Sequence, residues 1–105
     1  MRTARRPYEF HPEADLNDIW GYLAEDNPDA ADRTTDRIAA AIDALAPFPY
    51  QGHRRSDLTS RPSRFTSVGN YLIAYAQDKK PLWILAIMHG RRSPRVVAAI
   101  LRGRE

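Results

Sequence analysis

Apolar positions in the first half of the chain recur with the period of an α-helix. After Pro12 they fall at i, i+3, i+4 and i+7, and after Pro28 they form a second stripe on one side of a helix. The first stripe comprises Leu16, Ile19, Trp20 and Leu23, and the second comprises Ala31, Thr35, Ile38, Ile42 and Leu45. Asn27 is a suitable N-cap for the second helix, and Pro28 suits its first position. The pattern predicts an antiparallel helical hairpin with a shared apolar seam and with Trp20 in the core. The expected seam residues are Leu16, Ile19, Leu23, Ile38 and Ile42.

Strand patterns flank this hairpin. A short edge strand is expected at 8–11, and three further strands are expected at 64–68, 70–77 and 82–89. Gly69 with Asn70 forms one short connection and 78–81 forms the next, so the last three strands should make an antiparallel meander. The final strand is apolar on both faces, which is typical of a central strand covered on both sides.

The chain after the meander has the signals of one more helix. Ser93 suits the N-cap, Pro94 suits the first turn, and Gly103 suits the end. The expected fold is therefore α+β. An N-terminal short strand and an α-helical hairpin pack on a three-to-four-stranded antiparallel sheet, and a short C-terminal helix follows.

Length and composition limit the class of protein. A chain of 105 residues fits one domain, 1–105, and 43% apolar with 28% charged residues is ordinary for a folded globular protein. The longest apolar run, 82–88, is too short to span a membrane, and the N-terminus lacks the apolar core of a signal peptide. These features predict a cytoplasmic protein that does not act at a membrane. The chain has no cysteine and only three scattered histidines, so neither a metal site nor a cofactor is predicted.

Charge is distributed unevenly along the chain. The formal net charge is only +3, but acidic residues concentrate between Glu9 and Asp43. Beyond Gly52 the cations dominate, namely Arg54, Arg55, Arg61, Arg64, Lys79, Lys80, Arg91, Arg92, Arg95, Arg102 and Arg104. The basic half is compatible with an anionic partner, either a nucleic acid or an acidic protein.

The apolar run that begins at Leu82 ends abruptly in the sequence His89-Gly90-Arg91-Arg92. Side chains at the end of a central strand are held rigidly, and Gly90 should let the backbone bend beside them. Arginine binds carboxylate or phosphate through two hydrogen bonds, and tyrosine can stack or donate a hydrogen bond. The predicted target-binding patch comprises Arg64, Tyr71, Tyr75, His89, Arg91 and Arg92, with Arg54 and Arg55 in a basic loop before the meander.

The order of elements resembles the RelE/ParE toxin superfamily of bacterial type II toxin–antitoxin systems, and specifically its ParE-like branch. "FHPEADLNDIWGYLAEDNPDAADR" resembles the helical hairpin of ParE-like toxins, and "LAPFPYQGHRRSDL" resembles the loop that follows it. "YLIAY" and "LWILAIMHGRRS" resemble the strand pair that ends in a His-Gly-Arg block. Ser93 stands where relatives often have an acidic residue, which puts a local salt bridge at this turn in doubt. The resemblance covers nearly the whole chain.

The resemblance implies a toxin that a cognate antitoxin, ParD-like or of another class, neutralises. ParE-like toxins bind DNA gyrase and need a binding surface, whereas RelE-like toxins cut ribosome-bound mRNA and need an acid, a base and cations. Candidate catalytic residues for the second activity are Arg64, His89 and Arg91. The long helical hairpin, and the lack of a lysine in the loop before the meander, favour gyrase binding without enzymatic activity. An mRNA endoribonuclease or an inactive interaction module are the alternatives.

Overall fold

A computed structural model of the chain describes residues 8–105. The helices are α1, Glu13–Ala24, α2, Pro28–Asp43, and α3, Pro94–Arg102. The strands are β1, Tyr8–Phe10, β2, His53–Arg54, β3, Ser63–Val68, β4, Tyr71–Ala76, and β5, Leu82–His89. Residues 1–7 of the expected domain lie outside the described residues.

Two of the predicted helix starts are made by side-chain caps. The Asn27 side-chain oxygen accepts a hydrogen bond from the Ala30 amide at 3.1 Å, and Pro28 follows as the first residue of α2. At α3 the Ser93 hydroxyl accepts from the Val96 amide at 3.3 Å, again with proline next in sequence. These caps satisfy amide groups that a helix leaves without an internal partner. Both predicted starts are confirmed.

The strands form one five-stranded sheet in the order β1-β5-β4-β3-β2. The meander β3-β4-β5 is antiparallel as predicted, and Gly69, in a left-handed conformation with φ of 58°, makes its first turn. The α+β class and the hairpin-on-sheet arrangement are confirmed, but the sheet has five strands and is mixed. β1 pairs in parallel with β5, and the connection between these two strands contains both helices of the hairpin and the strands β2, β3 and β4. β2 adds two residues antiparallel to β3.

Each face of the sheet carries its own apolar core. The hairpin-face core packs under α1 and α2 and contains Ile38, Ile42, Leu45, Ile73, Tyr75, Leu82, Ile84 and Ile87. The α3-face core contains Leu58, Phe65, Ala74, Ala76, Leu85, Ala86, Met88, Val97 and Leu101. β5 contributes to both, which confirms its prediction as a strand covered on both sides.

A bulge in β5 decides which of its residues face which core. Ala74 pairs with Ala86 and Tyr75 pairs with Ile84, so Leu85 has no partner on β4. Side chains of a regular strand alternate between faces, but Leu85 and Ala86 both belong to the α3-face core. The bulge therefore shifts the alternation of side chains between the two faces of the sheet by one residue, so the residues of β5 before and after Leu85 follow different patterns.

Fewer residues of the predicted seam between the two helices are fully buried than expected. Ile38 and Ile42 of α2 are fully buried, whereas α1 has no fully buried side chain, and Leu16, Ile19 and Leu23 keep partial exposure. The placement of Trp20 in the core is wrong, because its side chain is 41% exposed and its indole N–H donates to Asp32 at 2.8 Å. α1 contacts α2 and, over the sheet, mainly β5. It therefore covers only one margin of the sheet and leaves much of its surface to solvent.

A helix that crosses a membrane is long and predominantly apolar. In the described part of the chain, none of the helices has that combination of length and apolar character.

Candidate target-binding surface

The sheet register separates the six residues of the predicted patch into two groups. Tyr71 pairs with His89 at one end of the β4-β5 ladder, whereas Tyr75 pairs with Arg64 of β3 near the other. Four residues along a strand span roughly 13 Å at 3.3 Å per residue. The structure thus brings Tyr71, His89, Arg91 and Arg92 together, and we call these four residues the turn surface. Arg64 and Tyr75 lie elsewhere.

Backbone hydrogen bonds fix the turn surface to the sheet. The Gly90 amide donates to the Asn70 carbonyl at 2.7 Å, which joins the turn after β5 to the turn between β3 and β4. The Arg92 amide donates to the His89 carbonyl at 3.2 Å. The backbone turns at Gly90 as expected, but without a positive φ. A Cβ atom there would lie 3.3 Å from the Asn70 carbonyl oxygen, so close approach of the two turns is what favours glycine.

The imidazole of His89 has a defined orientation. Its Nδ1 atom accepts a hydrogen bond from the Arg91 amide at 3.1 Å, and its ring meets the Tyr71 ring edge-on with centroids 5.5 Å apart. An Nδ1 atom that accepts carries no proton, so the neutral ring has its proton on Nε2. The side chain therefore presents a hydrogen-bond donor at Nε2.

The guanidinium groups of the turn surface are available to a partner. Arg91 and Arg92 are exposed, and neither takes part in the ion pairs found within residues 8–105. Arg95 adds a third exposed cation in the first turn of α3, which contains no acidic residue. Cations near a helix N-terminus are disfavoured by the helix dipole. This concentration of positive charge does not help α3 to fold.

Arg37 of α2 is a residue at this end of the sheet that the sequence reasoning missed. Its guanidinium nitrogens lie 3.7 and 3.8 Å from the position of a Cβ built on Gly69, so the side chain lies against the β3-β4 turn. Asn70 of that turn is the residue that binds Gly90. The sequence feature that could have indicated Arg37 is that Arg33 and Arg37 are the two cations in an otherwise acidic hairpin.

Tyr75 belongs to the core and does not reach the surface. Its side chain is fully buried, and its hydroxyl accepts a hydrogen bond from the Gly52 amide at 2.9 Å. Burial raises the pKa of the Tyr75 phenol, and this effect outweighs the opposite influence of the Gly52 amide and of Arg64. The alternation that suggested a Tyr71 and Tyr75 pair is real, but the hairpin covers the second ring.

Arg64 supports the loop that precedes β2. Its Nη1 donates to the Gly52 carbonyl at 2.8 Å, its Nε donates to the Gln77 side chain, and its guanidinium lies 5.2 Å from the centroid of the Tyr50 ring. These contacts hold Arg64 near the edge of the sheet that β2 forms. Arg64 therefore cannot act on the same reacting group as His89 in this conformation.

The two loop arginines have different surroundings. Arg55 binds the Asp57 carboxylate through two hydrogen bonds of 2.9 and 2.7 Å. This contact raises the pKa of Arg55 and lowers the pKa of Asp57. Arg54 is exposed in β2 and is in neither ion pair of the described residues. Arg54 is the loop cation that remains free for a partner.

Metal binding needs several donor side chains close together. Within residues 8–105, no group of three or more His, Cys, Asp or Glu side chains has an arrangement that could hold an ion.

Comparison with known proteins gives the family. Residues 8–94 match the family model described as the ParE toxin of the type II toxin–antitoxin system parDE. The chain is 34% identical over 100 residues to Toxin ParE2 of Mycobacterium tuberculosis, an alignment that covers 88% of this chain and 87% of that protein. It is also 34% identical over 84 residues to the Putative toxin Y4kP of Sinorhizobium fredii, covering 73% of this chain and 78% of that protein. These matches define a toxin of the RelE/ParE superfamily. Within it, this chain belongs to the ParE toxin family of type II toxin–antitoxin systems, which implies an antitoxin partner.

Proposed function

We propose that this chain arrests bacterial growth by binding DNA gyrase through the turn surface. The observation that carries the proposal is the pair of exposed arginines, Arg91 and Arg92, that have no acidic partner within residues 8–105 and follow a rigid central strand. A rigid cationic surface matches an acidic protein surface without a large ordering cost. Arginine and tyrosine are also the residue types that most often dominate binding at protein interfaces.

The orientation of His89 argues against a role as the general base of RNA cleavage. A general base must offer an unprotonated nitrogen to the 2′-hydroxyl, but Nδ1 already accepts from the Arg91 amide. In the neutral ring the remaining nitrogen carries a proton and can only donate. His89 therefore lacks a free acceptor for the 2′-hydroxyl proton and offers a hydrogen-bond donor instead.

The separation of Arg64 from the turn surface weakens the nuclease alternative further. Arg64, His89 and Arg91 are the three candidates for a RelE-like reaction, and the register puts Arg64 beside Tyr75 instead of beside His89. One cation of the set is thus too far away to stabilise charge at a phosphate that the other two contact.

The proposal includes neutralisation by a cognate antitoxin, ParD-like or of another class, in the cytoplasm. Carried on a plasmid, such a pair would stabilise the plasmid, since cells that lose it would lose the antitoxin's protection.

One paired assay tests the proposal against its alternatives. The purified chain is added to gyrase supercoiling reactions and, in parallel, to translating ribosomes with a defined mRNA, while growth is followed on induction in a bacterial host. Inhibition of supercoiling with intact mRNA is the expected result. Cleaved mRNA with normal supercoiling would show that the chain is an endoribonuclease and does not act on gyrase. Unaffected growth would indicate an inactive interaction module.

A further inference from the structure

The loop between α2 and β2 exposes two aromatic rings that no part of the proposed gyrase contact uses. Phe48 is 70% exposed and Tyr50 is 65% exposed, and only one residue separates them. Large aromatic side chains are normally at least half covered in a folded domain, and neighbouring exposed ones indicate an interaction site.

Hydrogen bonds within the loop fix the backbone that carries these rings. The Phe48 amide donates to the carbonyl of the buried Leu45 at 3.0 Å, and the Gln51 amide donates to the Phe48 carbonyl at 3.1 Å. The Gln51 side-chain amide also donates to the Ala44 carbonyl at 2.8 Å and to the Phe48 carbonyl at 3.1 Å. The rings are therefore carried on a structured turn, so binding of a partner requires little ordering of the loop backbone.

The end of the loop is attached to the core at Gly52. Its amide donates to the buried Tyr75 hydroxyl, and its carbonyl accepts from Arg64. A Cβ at Gly52 would lie only 2.5 Å from the Tyr75 oxygen and 2.8 Å from the Phe65 carbonyl oxygen, so only glycine fits at this position. The loop is thus fixed at both ends, by Leu45 and by Gly52.

The surroundings of the two rings are basic. Residues 44–64 contain four arginines and one aspartate, and that aspartate, Asp57, is paired with Arg55. Arg64 lies against the Tyr50 ring, and Arg54 is exposed on the adjacent edge strand. The preceding region, 8–43, has ten acidic and two basic residues, so the positive field is a local property of the loop side.

We propose that Phe48, Tyr50, Arg54 and Arg64, the loop surface, bind an acidic segment of the antitoxin whose apolar side chains cover the two rings. The inference rests on the proposed neutralisation by an antitoxin. Charge complementarity and the apolar rings together specify a segment that is both acidic and amphipathic. The register places this surface near the opposite end of the strands from the turn surface, so the chain has separate contacts for its antitoxin and for its target.

A protein segment fits this surface better than single-stranded nucleic acid does. Nucleic acid binding uses open aromatic faces on which successive bases stack. Here the Arg64 guanidinium already lies over the Tyr50 ring. Tyrosine and arginine together are a frequent combination at the centre of protein interfaces.

The test separates antitoxin binding from toxicity. The antitoxin encoded beside the toxin gene is purified and titrated calorimetrically into the parent chain, a Phe48→Ser and Tyr50→Ser double variant, and Arg54→Gln. Tyr22→Ser is the matched control, because Tyr22 is a 74% exposed aromatic on α1, away from the loop. Arg64 is not substituted, since it also supports the Gly52 backbone. The double variant should bind at least about tenfold more weakly, and Arg54→Gln should weaken binding about threefold or more and flatten its dependence on salt.

The outcomes of this experiment lead to different conclusions. Unchanged growth arrest by the folded double variant, with weakened antitoxin binding, is the expected pattern. An antitoxin that fails to bind the parent overturns the proposed neutralisation. An antitoxin that binds parent and double variant equally, or that loses as much affinity with Tyr22→Ser, overturns the loop surface alone and leaves the gyrase proposal intact. If a labelled oligoribonucleotide binds the parent but not the double variant, and both bind the antitoxin equally, the loop surface binds RNA and not the antitoxin.

Discussion

The carboxylate of Asp15 in α1 binds the guanidinium of Arg104, 89 residues later in the chain, through hydrogen bonds of 2.5 and 3.0 Å. The same carboxylate accepts from the Ile87 amide at 3.0 Å, and Arg104 donates to the Leu85 carbonyl at 3.1 Å. β1 ends at Phe10, opposite Ile84, so these side chains bind backbone groups of β5 that β1 does not reach. They complete the hydrogen bonding of an edge of the sheet.

The first prediction concerns this pair. Asp15→Ala should lower the free energy of unfolding by about 2 kcal/mol, because it leaves the Ile87 amide without its acceptor and Arg104 without its carboxylate partner. Arg104→Ala should cost about 1 kcal/mol, since its side chain is 36% exposed and solvent screens the ion pair. Urea unfolding of both single variants and the double variant measures the coupling. Fully additive losses would contradict the direct interaction.

The second prediction concerns the hairpin seam. Ile38→Ala and Ile42→Ala should each lower the free energy of unfolding by about 2 to 5 kcal/mol, because both side chains are fully buried. Leu16→Ala and Ile19→Ala should cost less, about 1 to 2 kcal/mol, since these side chains are partly exposed. Chemical denaturation of the four variants tests the order. Equal losses from both helices would show that α1 is buried more deeply than described.

The third prediction concerns Tyr75. Tyr75→Phe keeps the ring but leaves the Gly52 amide without its acceptor, which should cost about 1 to 3 kcal/mol at neutral pH. Because burial raises the pKa of Tyr75 in the folded state above its ordinary value of 10.0, the contribution of the phenol is complete below that pH and is lost as pH rises through the folded pKa. The stability difference between parent and variant should therefore shrink above about pH 10. A difference that stays constant up to pH 11 in denaturation experiments would contradict the raised pKa.

The fourth prediction ranks substitutions in the turn surface. His89→Ala should reduce growth arrest only modestly, whereas Arg91→Ala combined with Arg92→Ala should reduce it more, because the arginines supply the charge that binds the target. Loss of a proton-transfer group typically lowers a rate about 100- to 10,000-fold, so a nuclease would give the opposite ranking. Growth curves after induction measure the effect, and circular dichroism with antitoxin binding confirms that each variant is folded. A harmless, folded His89→Ala chain together with mRNA cleavage by the parent would overturn gyrase binding.

The fifth prediction adds Arg37 to the turn surface. Its guanidinium lies against the turn that binds Gly90, so Arg37→Gln should weaken inhibition of supercoiling by about three- to tenfold while leaving the fold intact. Arg102→Gln is the control, because Arg102 is exposed at the end of α3 and makes neither of the described ion pairs. Dose–response curves in the supercoiling assay compare the two. An equal effect of both variants would indicate a response to net charge only.

The sequence alone determined the elements that depend on neighbouring residues. Asn27 with Pro28 and Ser93 with Pro94 start helices through contacts within one turn, and Gly69 makes a hairpin turn through its own backbone freedom. The uninterrupted apolar run of β5 also predicted a strand covered on both faces. These signals are local, so they can be read before any tertiary contact is known, and the order of elements that they predict supported the family resemblance that the match confirmed.

Tertiary structure decided which residues share a surface. The bulge at Leu85, the parallel pairing of β1 and the addition of β2 arise from contacts between distant segments, and no local pattern encodes them. The same long-range packing buried Tyr75, exposed Trp20 and put Arg64 beside Tyr50 instead of His89. A strand's period fixes the face of a side chain, but the position of that side chain relative to other strands depends on register, and register is set by packing across the whole sheet.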